Sequence, residues 1–249
     1  MIEIRDIYKA FEGEQVLKGI SSTFEAGRVN LIIGRSGSGK TVLVKTMVGL
    51  LEATSGQILY DDRDLTKMTI TERKKIRREL GMLFQGTALF DSLNVEENIR
   101  FQLDMFTNWQ YEAKRARVDE MLEKVNLEGA NNKYTAELSG GMRKRVGIAR
   151  ALVMKPKYLF CDEPNSGLDP QTSLVIDNLL GEITQYYGIV TVVNTHDMNS
   201  VIHIGDKVLF LHEGHKEWEG SNQEILDTEN KQLYDFIFAS DFLKKLKES

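Results

Sequence analysis

One segment restricts the fold of this chain more than any other. The apolar run Val29 to Ile33 (VNLII) is followed at once by Gly34-Arg35-Ser36-Gly37-Ser38-Gly39-Lys40-Thr41, and then by the helix-like VLVKTMVGLL. The pattern predicts a buried strand, a tight loop and a helix in direct succession. Its glycines let successive backbone N–H groups turn inward around a phosphate chain, and the new helix adds its positive N-terminal end. Lys40 is then placed to reach the β and γ phosphates, and the Thr41 hydroxyl to ligate Mg²⁺. Gly34, Arg35, Ser36, Gly37, Ser38, Gly39, Lys40 and Thr41 are therefore expected to bind a nucleoside triphosphate. An ordinary glycine-rich turn is the plainer alternative, and the strand-loop-helix context argues against it.

The rest of the chain fits a fold built around such a loop. Tyr158 to Cys161 (YLFC), Ile189 to Val193 (IVTVV) and Val208 to Leu211 (VLFL) are further short apolar runs separated by helical patterns. Runs without polar alternation are strands covered on both sheet faces, so the expectation is an α/β protein with a mostly parallel sheet. Ile2 to Phe24 alternates apolar and polar residues instead, which predicts an antiparallel N-terminal patch. Between about Asn94 and Leu138 the strand signals stop. There Val118, Met121, Leu122 and Val125 recur at helical spacing, predicting an inserted α-helical subdomain. The expected division is a core over 1–220, with the insert at about 94–138, and a helical tail over 221–249.

Composition narrows the setting. The longest stretch free of Asp, Glu, Lys and Arg runs from Ile183 to His196 and still contains Thr, Gln and Asn. A spanning helix needs roughly 20 mainly apolar residues, so no membrane crossing is expected. The start MIEIRDIYKAF has no apolar leader core, and the single cysteine, Cys161, excludes an internal disulfide framework. The chain is expected in the cytoplasm. Its 249 residues carry a net charge of −5, which argues against broad nucleic-acid binding.

The run Lys157 to Glu163 (KYLFCDE) reads as a strand ending in two carboxylates. In parallel sheets functional groups gather at the carboxyl ends of strands, the edge that also holds the phosphate loop. Asp162 is placed to hold Mg²⁺ through water, and Glu163 to orient or deprotonate an attacking water. A solvated strand terminus is the alternative. In Asn165-Ser166-Gly167-Leu168-Asp169-Pro170, Asp169 can cap the next helix with Pro170 in its first turn, which is a sufficient local role. His196 ends the strand IVTVV, where an imidazole can touch a γ phosphate or serve structurally, and position alone leaves both open. Gln85, in LFQG, carries no signal of its own.

At Leu138-Ser139-Gly140-Gly141-Met142 a cap and two glycines open the helix MRKRVGIARALVM. That is either an ordinary capped start or a second anion cradle. Two cradles with one water-activating set are reconciled if the second serves the nucleotide of another copy, as in a twofold dimer with two composite sites.

Taken in order, GRSGSGKT, LFQG, LSGGM, YLFCDEPNSGLD and NTHD resemble the nucleotide-binding subunit of an ATP-binding cassette (ABC) transporter, over about Ile2 to Gly220. The resemblance implies a P-loop ATPase with Mg²⁺, working as a head-to-tail homodimer. In it, Ser139, Gly140 and Gly141 of one copy grip the γ phosphate bound by the other. It further implies that Phe11 stacks on adenine, Gln85 senses Mg²⁺ and couples to the membrane partner, and Glu163 is the catalytic base. His196 would contact the γ phosphate, Asp169 would link the two sites, and the insert would touch separate transmembrane permease subunits. The chain would then sit peripherally on the cytoplasmic face of the inner membrane, without direct nucleic-acid contact. Met142 departs from the family pattern, where Gln is usual, and cannot donate that amide hydrogen bond. The surroundings QGTALFDSLNVEENI, LSGGMRKRVGIARAL and DEPNSGLDP are similar to ATPases of the lipid-asymmetry (Mla-type) and organic-solvent-tolerance branch. Phospholipid transport, with a small accessory subunit and a lipid-binding partner, follows from that likeness.

Rival functions are a soluble ABC-type switch on nucleic acid or protein complexes, and a scaffold that scarcely hydrolyses, the latter suggested by Met142. The first would call for a second cassette or a long coiled-coil insertion, and neither is present. Arg73 to Arg78 is a nucleic-acid or lipid-headgroup patch or, more simply, a solvated helix face. Asp206 to Gly220 reads as a hairpin, and Leu233 to Leu246 as a helix packed on its own core or a docking arm.

Overall fold

The computed structural model describes residues 1–238. Strands β1 (Ile2–Phe11) and β2 (Glu14–Phe24) form a long antiparallel pair from Ile2 opposite Phe24 to Phe11 opposite Glu14, with register shifts between Ile4 and Ile7, Ile7 and Tyr8, and Lys9 and Ala10. Next come β3 (Val29–Ile33) and α1 (Lys40–Met47). β4 (Ser55–Tyr60) and the short β5 (Arg63–Asp64) join β1 to complete a four-stranded antiparallel sheet in the order β2-β1-β4-β5. The N-terminal antiparallel patch is thus present, larger by two strands than its alternating sequence announced.

Helix α2 (Ile70–Arg78) begins at a reciprocal cap between Thr69 and Glu72 and leads into β6 (Leu80–Leu83). Ile76 is its one buried residue, while Lys74, Lys75, Arg77 and Arg78 face solvent. Helices α3 (Val95–Phe106) and α4 (Tyr111–Lys124) follow, then α5 (Gly140–Leu152), β7 (Tyr158–Asp162), α6 (Pro170–Tyr187), β8 (Val190–Thr195) and α7 (Met198–Ile204). The hairpin β9 (Lys207–His212) and β10 (His215–Gly220) precedes α8 (Lys231–Ile237).

The second sheet runs β10-β9-β3-β8-β7-β6, parallel except for β10 at one edge. Because side chains alternate along a strand, each central strand feeds two cores. Val29, Leu31 and Ile33 of β3, Leu159 and Cys161 of β7, and Val208 and Phe210 of β9 face the helical layer. Ile32, Phe160, Leu209 and Leu211 face the other way, onto α1 and the antiparallel sheet. This is why the strand sequences read apolar without alternation.

The insert leaves and rejoins the fold at one place. Asn94 caps α3, and the Val95 and Glu96 amides donate to the Lys133 and Asn131 carbonyls, tying both ends together. Val118, Met121, Leu122 and Val125 are buried against α3 and α5, as their spacing predicts. Arg117 of α4 donates through Nε and Nη2 to the Val153 and Leu152 carbonyls, a cation at the carboxyl end of α5. Leu233, Ile237 and Phe238 pack into this same core, and the part of Leu233 to Leu246 beyond Phe238 lies outside the described residues.

Candidate active site

The phosphate loop leaves β3 at the carboxyl edge of the parallel sheet. Gly34 has φ 151°, and a Cβ there would collide with the Leu211 carbonyl oxygen and the Ser38 hydroxyl. Only glycine fits such an approach. Lys40 opens α1 at 6% exposure, and its Nζ donates to the Gly34 and Arg35 carbonyls at 2.8 and 3.1 Å. Burial lowers its pKa, opposed by the neighbouring Glu163 and Asp162 carboxylates. The ammonium is folded over its own loop, within reach of any anion the loop holds.

Behind the loop, the ends of β7 and β8 meet the start of α1. Thr41 Oγ1 donates to Asp162 Oδ1 at 3.3 Å, and Asn194 Nδ2 donates to Thr41 Oγ1 at 3.1 Å and to Asp162 Oδ1 at 2.5 Å. Asn194 is fully buried and Asp162 nearly so. A buried carboxylate needs such donors.

Glu163 follows Asp162 at φ 48°, a left-handed backbone that costs a non-glycine residue about 1–3 kcal/mol. The turn throws its carboxylate out of the strand line and into contact with two other loops. Glu163 Oε2 accepts from Gln85 Nε2 at 3.3 Å, and Glu163 Oε1 lies 3.0 Å from His196 Nδ1. The main chain is pinned by the Glu163 amide donating to the Asn194 carbonyl at 2.9 Å. Lys144 Nζ, from α5, donates to the Gln85 and Glu163 carbonyls at 2.6 and 3.2 Å.

A cavity of about 740 Å³ opens over these groups, walled by Arg35, Ser36, Gly37, Gly39, Lys40, Thr41, Gln85, Glu163 and His196, with Val16, Val42 and Phe236. One concave surface thus unites the phosphate loop, the Glu163 carboxylate just past β7 and the His196 ring just past β8. Phe11 lies outside this wall, 42% exposed, with Lys9 Nζ 4.8 Å above its ring. Ser139, Gly140, Gly141 and Asp169 do not line it either. Ser139 Oγ accepts from the Met142 amide at 3.2 Å as the cap of α5, and Asp169 caps α6 by accepting from the Thr172 amide at 3.0 Å. Those two helix starts touch, since a Cβ at Gly141 would lie 2.5 Å from Thr172 Cγ2. Met142 turns its side chain onto the core beneath α5.

Five site residues escape sequence reasoning, Val42 of α1 among them. Asn194 sits in an apolar strand and Lys144 in the charged run RKR, neither in a pattern of its own. Val16 and Phe236 are apolar residues brought to the wall by the antiparallel sheet and by α8.

The residues present suit a magnesium-bound triphosphate. Ser38 Oγ is buried in the phosphate loop, close against Gly34, without a hydrogen-bond partner among the described residues. Thr41, Asp162 and Gln85 offer a hydroxyl, a carboxylate and an amide oxygen. This is a small oxygen set of the kind Mg²⁺ takes when phosphates and water complete its shell.

The sequence model described as "ABC transporter" matches residues 17–166. A methionine import ATP-binding protein, MetN of Desulfitobacterium hafniense, is 38% identical over 252 aligned positions, covering 100% of this chain and 74% of that protein. A dimeric ATP-binding cassette in a post-hydrolysis state, bound to ADP and phosphate, superimposes with a TM-score of 0.81 at 31% identity, over 89% of this chain and 99% of the other. A Clostridium perfringens structure described as part of the ABC transporter complex cbiONQ gives a TM-score of 0.86 at 31% identity, over 100% of this chain and 98% of the other.

Proposed function

The chain belongs to the ABC transporter family as an ATPase subunit, and on that premise we propose how its residues turn ATP hydrolysis into the movement of a separate membrane permease. The observation that carries the reading is the convergence of Lys40, Thr41, Gln85, Glu163 and His196 on one cavity, with Asp162 hydrogen-bonded to Thr41 and Glu163 in hydrogen-bonding range of Gln85 and His196.

The loop amides and Lys40 hold the phosphate chain, with Lys40 exchanging its loop carbonyls for β and γ phosphate oxygens. Thr41, Asp162 and Gln85 would hold Mg²⁺, which would supply positive charge against the negative charge that develops on the phosphates. Glu163 accepts a proton from water as the water oxygen bonds to the γ phosphorus and the bond to the bridging β-γ oxygen breaks, giving ADP and phosphate. His196 orients the Glu163 carboxylate and approaches the γ phosphate. Phe11, exposed at the end of β1, stacks on the adenine.

Ser139, Gly140 and Gly141 present amides at the start of α5 and away from their own cavity, which suits a second copy's nucleotide in a head-to-tail dimer. Asp169 starts the helix that touches them and carries communication between the two sites. Because Met142 faces the core, its replacement of the usual Gln leaves this amide cradle intact, which favours a hydrolysing motor over an inert scaffold.

For the permease, an apolar groove of about 510 Å³ lies beside the Gln85 loop, lined among others by Leu50, Phe84, Phe90, Phe101, Met105 and Phe106. Leu50, Phe90, Met105 and Phe106 are each more than 40% exposed. Such a patch between the insert and the core fits one cytoplasmic helix of a membrane partner. Among the described residues no helix is long and apolar enough to cross a membrane. The motor then lies on the cytoplasmic face of the inner membrane.

The finer proposal is phospholipid as the cargo, with a small accessory subunit and a lipid-binding partner. It is supported by the residues around the motifs, while the name of the MetN relative points to methionine for that protein. Mild-detergent purification should bring down a multispanning protein, and co-purification with ribosomes or DNA alone would contradict the permease reading. In vesicles of the recovered complex, ATP-dependent movement of labelled phospholipid supports the lipid proposal, and movement of methionine alone refutes it.

A further inference from the structure

We propose that Lys144 is a positioning residue of the hydrolytic site, its ammonium holding the main chains of Gln85 and Glu163 together so that their side chains converge. The inference rests on the hydrolytic role of Glu163 proposed above.

Lys144 is 4% exposed, and Nζ donates to the Gln85 carbonyl at 2.6 Å and to the Glu163 carbonyl at 3.2 Å. One nitrogen therefore joins two loops that lie 78 residues apart and whose side chains meet at 3.3 Å. The flanking cations do other work. Arg143 donates to the Leu138 carbonyl, and Arg145 to the Val125 and Asn126 carbonyls. A compact ammonium on a long stem suits this narrow buried position, where a planar guanidinium would need more width. The need for a clamp is local. Glu163 holds a left-handed backbone, φ 48°, that its own side chain does not favour, so its direction depends on what grips the peptide on either side. The Asn194 carbonyl grips the amide, and Lys144 grips the carbonyl. Because α5 also begins at Ser139, any displacement of that helix start is carried to Gln85 and Glu163 through the same side chain.

The test uses the full chain and two substitutions, Lys144→Met, which removes the donors but keeps an unbranched stem, and Lys144→Gln, which keeps a donor on a shorter one. ATP affinity is measured by equilibrium binding and kcat and KM by steady-state hydrolysis, beside wild type and Glu163→Gln. The expected result is a roughly 10- to 100-fold fall in kcat for Lys144→Met, with ATP affinity within about threefold of wild type and Lys144→Gln falling in between, since misplacement by about 1 Å carries losses of that order. An unchanged kcat in Lys144→Met overturns the proposal, and so does a parallel loss of kcat and ATP affinity, which is what general loosening of α5 would produce. If Lys144→Met does not fold, Lys144→Gln decides alone, a reduced kcat at unchanged affinity supporting the clamp and an unchanged kcat overturning it. An inactive wild type would instead refute the hydrolytic reading itself. Active wild type, inactive Glu163→Gln and unaffected Lys144→Met would refute only the role of Lys144.

Discussion

Thr41 Oγ1 and Asp162 Oδ1 stand 3.3 Å apart across 121 residues of chain, and one amide, that of Asn194, donates to both. The contact joins the first turn of α1 to the ends of β7 and β8. It exists because β3, β8 and β7 are adjacent and parallel, so the residues that end them reach one edge.

Asn194→Leu keeps the branching at Cγ and removes the amide, leaving the buried Asp162 carboxylate short of a donor. The chain should lose about 1–3 kcal/mol of stability, and ATP hydrolysis should fall on the order of tenfold or more as Asp162 and Thr41 lose their mutual alignment. Thermal unfolding and steady-state hydrolysis across a Mg²⁺ titration check both, and full activity would mean that Asn194 is a strand filler.

Much of this site is legible before folding. The phosphate loop, the strand that ends in Asp162 and Glu163, and the caps at Ser139 and Asp169 are local patterns whose meaning does not depend on distant residues. Asn194 and Lys144 are different. An asparagine in a run of valines and threonines, or a lysine between two arginines, acquires a role only when sheet order and helix packing bring it to a partner. The separation of Ser139, Gly140 and Gly141 from their own cavity is likewise a property of the packed chain. The strands β4 and β6 are short and broken by Gly56 and Gly81, so their periodicity is weak until β1 and β7 pair with them. Gly81 is required by close approach, since a Cβ would collide with the Ala151 carbonyl oxygen.

Cys161 is fully buried on β7, and burial pushes its thiol up to about 12. The thiolate is the reactive form. Iodoacetamide at pH 8 should leave the native chain unmodified and alkylate it in denaturant, as read by intact mass. Rapid modification of the folded chain would contradict the packing of the central sheet.

Asp177 of α6 is 2% exposed and accepts from Asn165 Nδ2 at 2.8 Å. Burial raises its pKa, partly offset by its hydrogen bonds to Asn165 and Ser200. An acid whose folded value lies above its unfolded one is most stabilising while protonated, so its contribution is present at low pH and is lost as pH rises through the folded value. Asp177→Asn removes this titration and keeps the side-chain oxygen. Its thermal midpoint relative to wild type should therefore rise between pH 4 and pH 7, and a difference that does not change with pH would contradict the burial of a titrating Asp177.

In the proposed mechanism Glu163 activates water in a site completed by a second copy of the chain. The direct measurement is the oligomeric state of purified Glu163→Gln at saturating ATP and Mg²⁺, taken with its hydrolysis rate. ATP binding should persist, hydrolysis should fall by on the order of 100-fold or more, and the chain should shift from monomer to an ATP-dependent dimer. A variant that stays monomeric with ATP bound, or that hydrolyses ATP at the wild-type rate, would contradict the account.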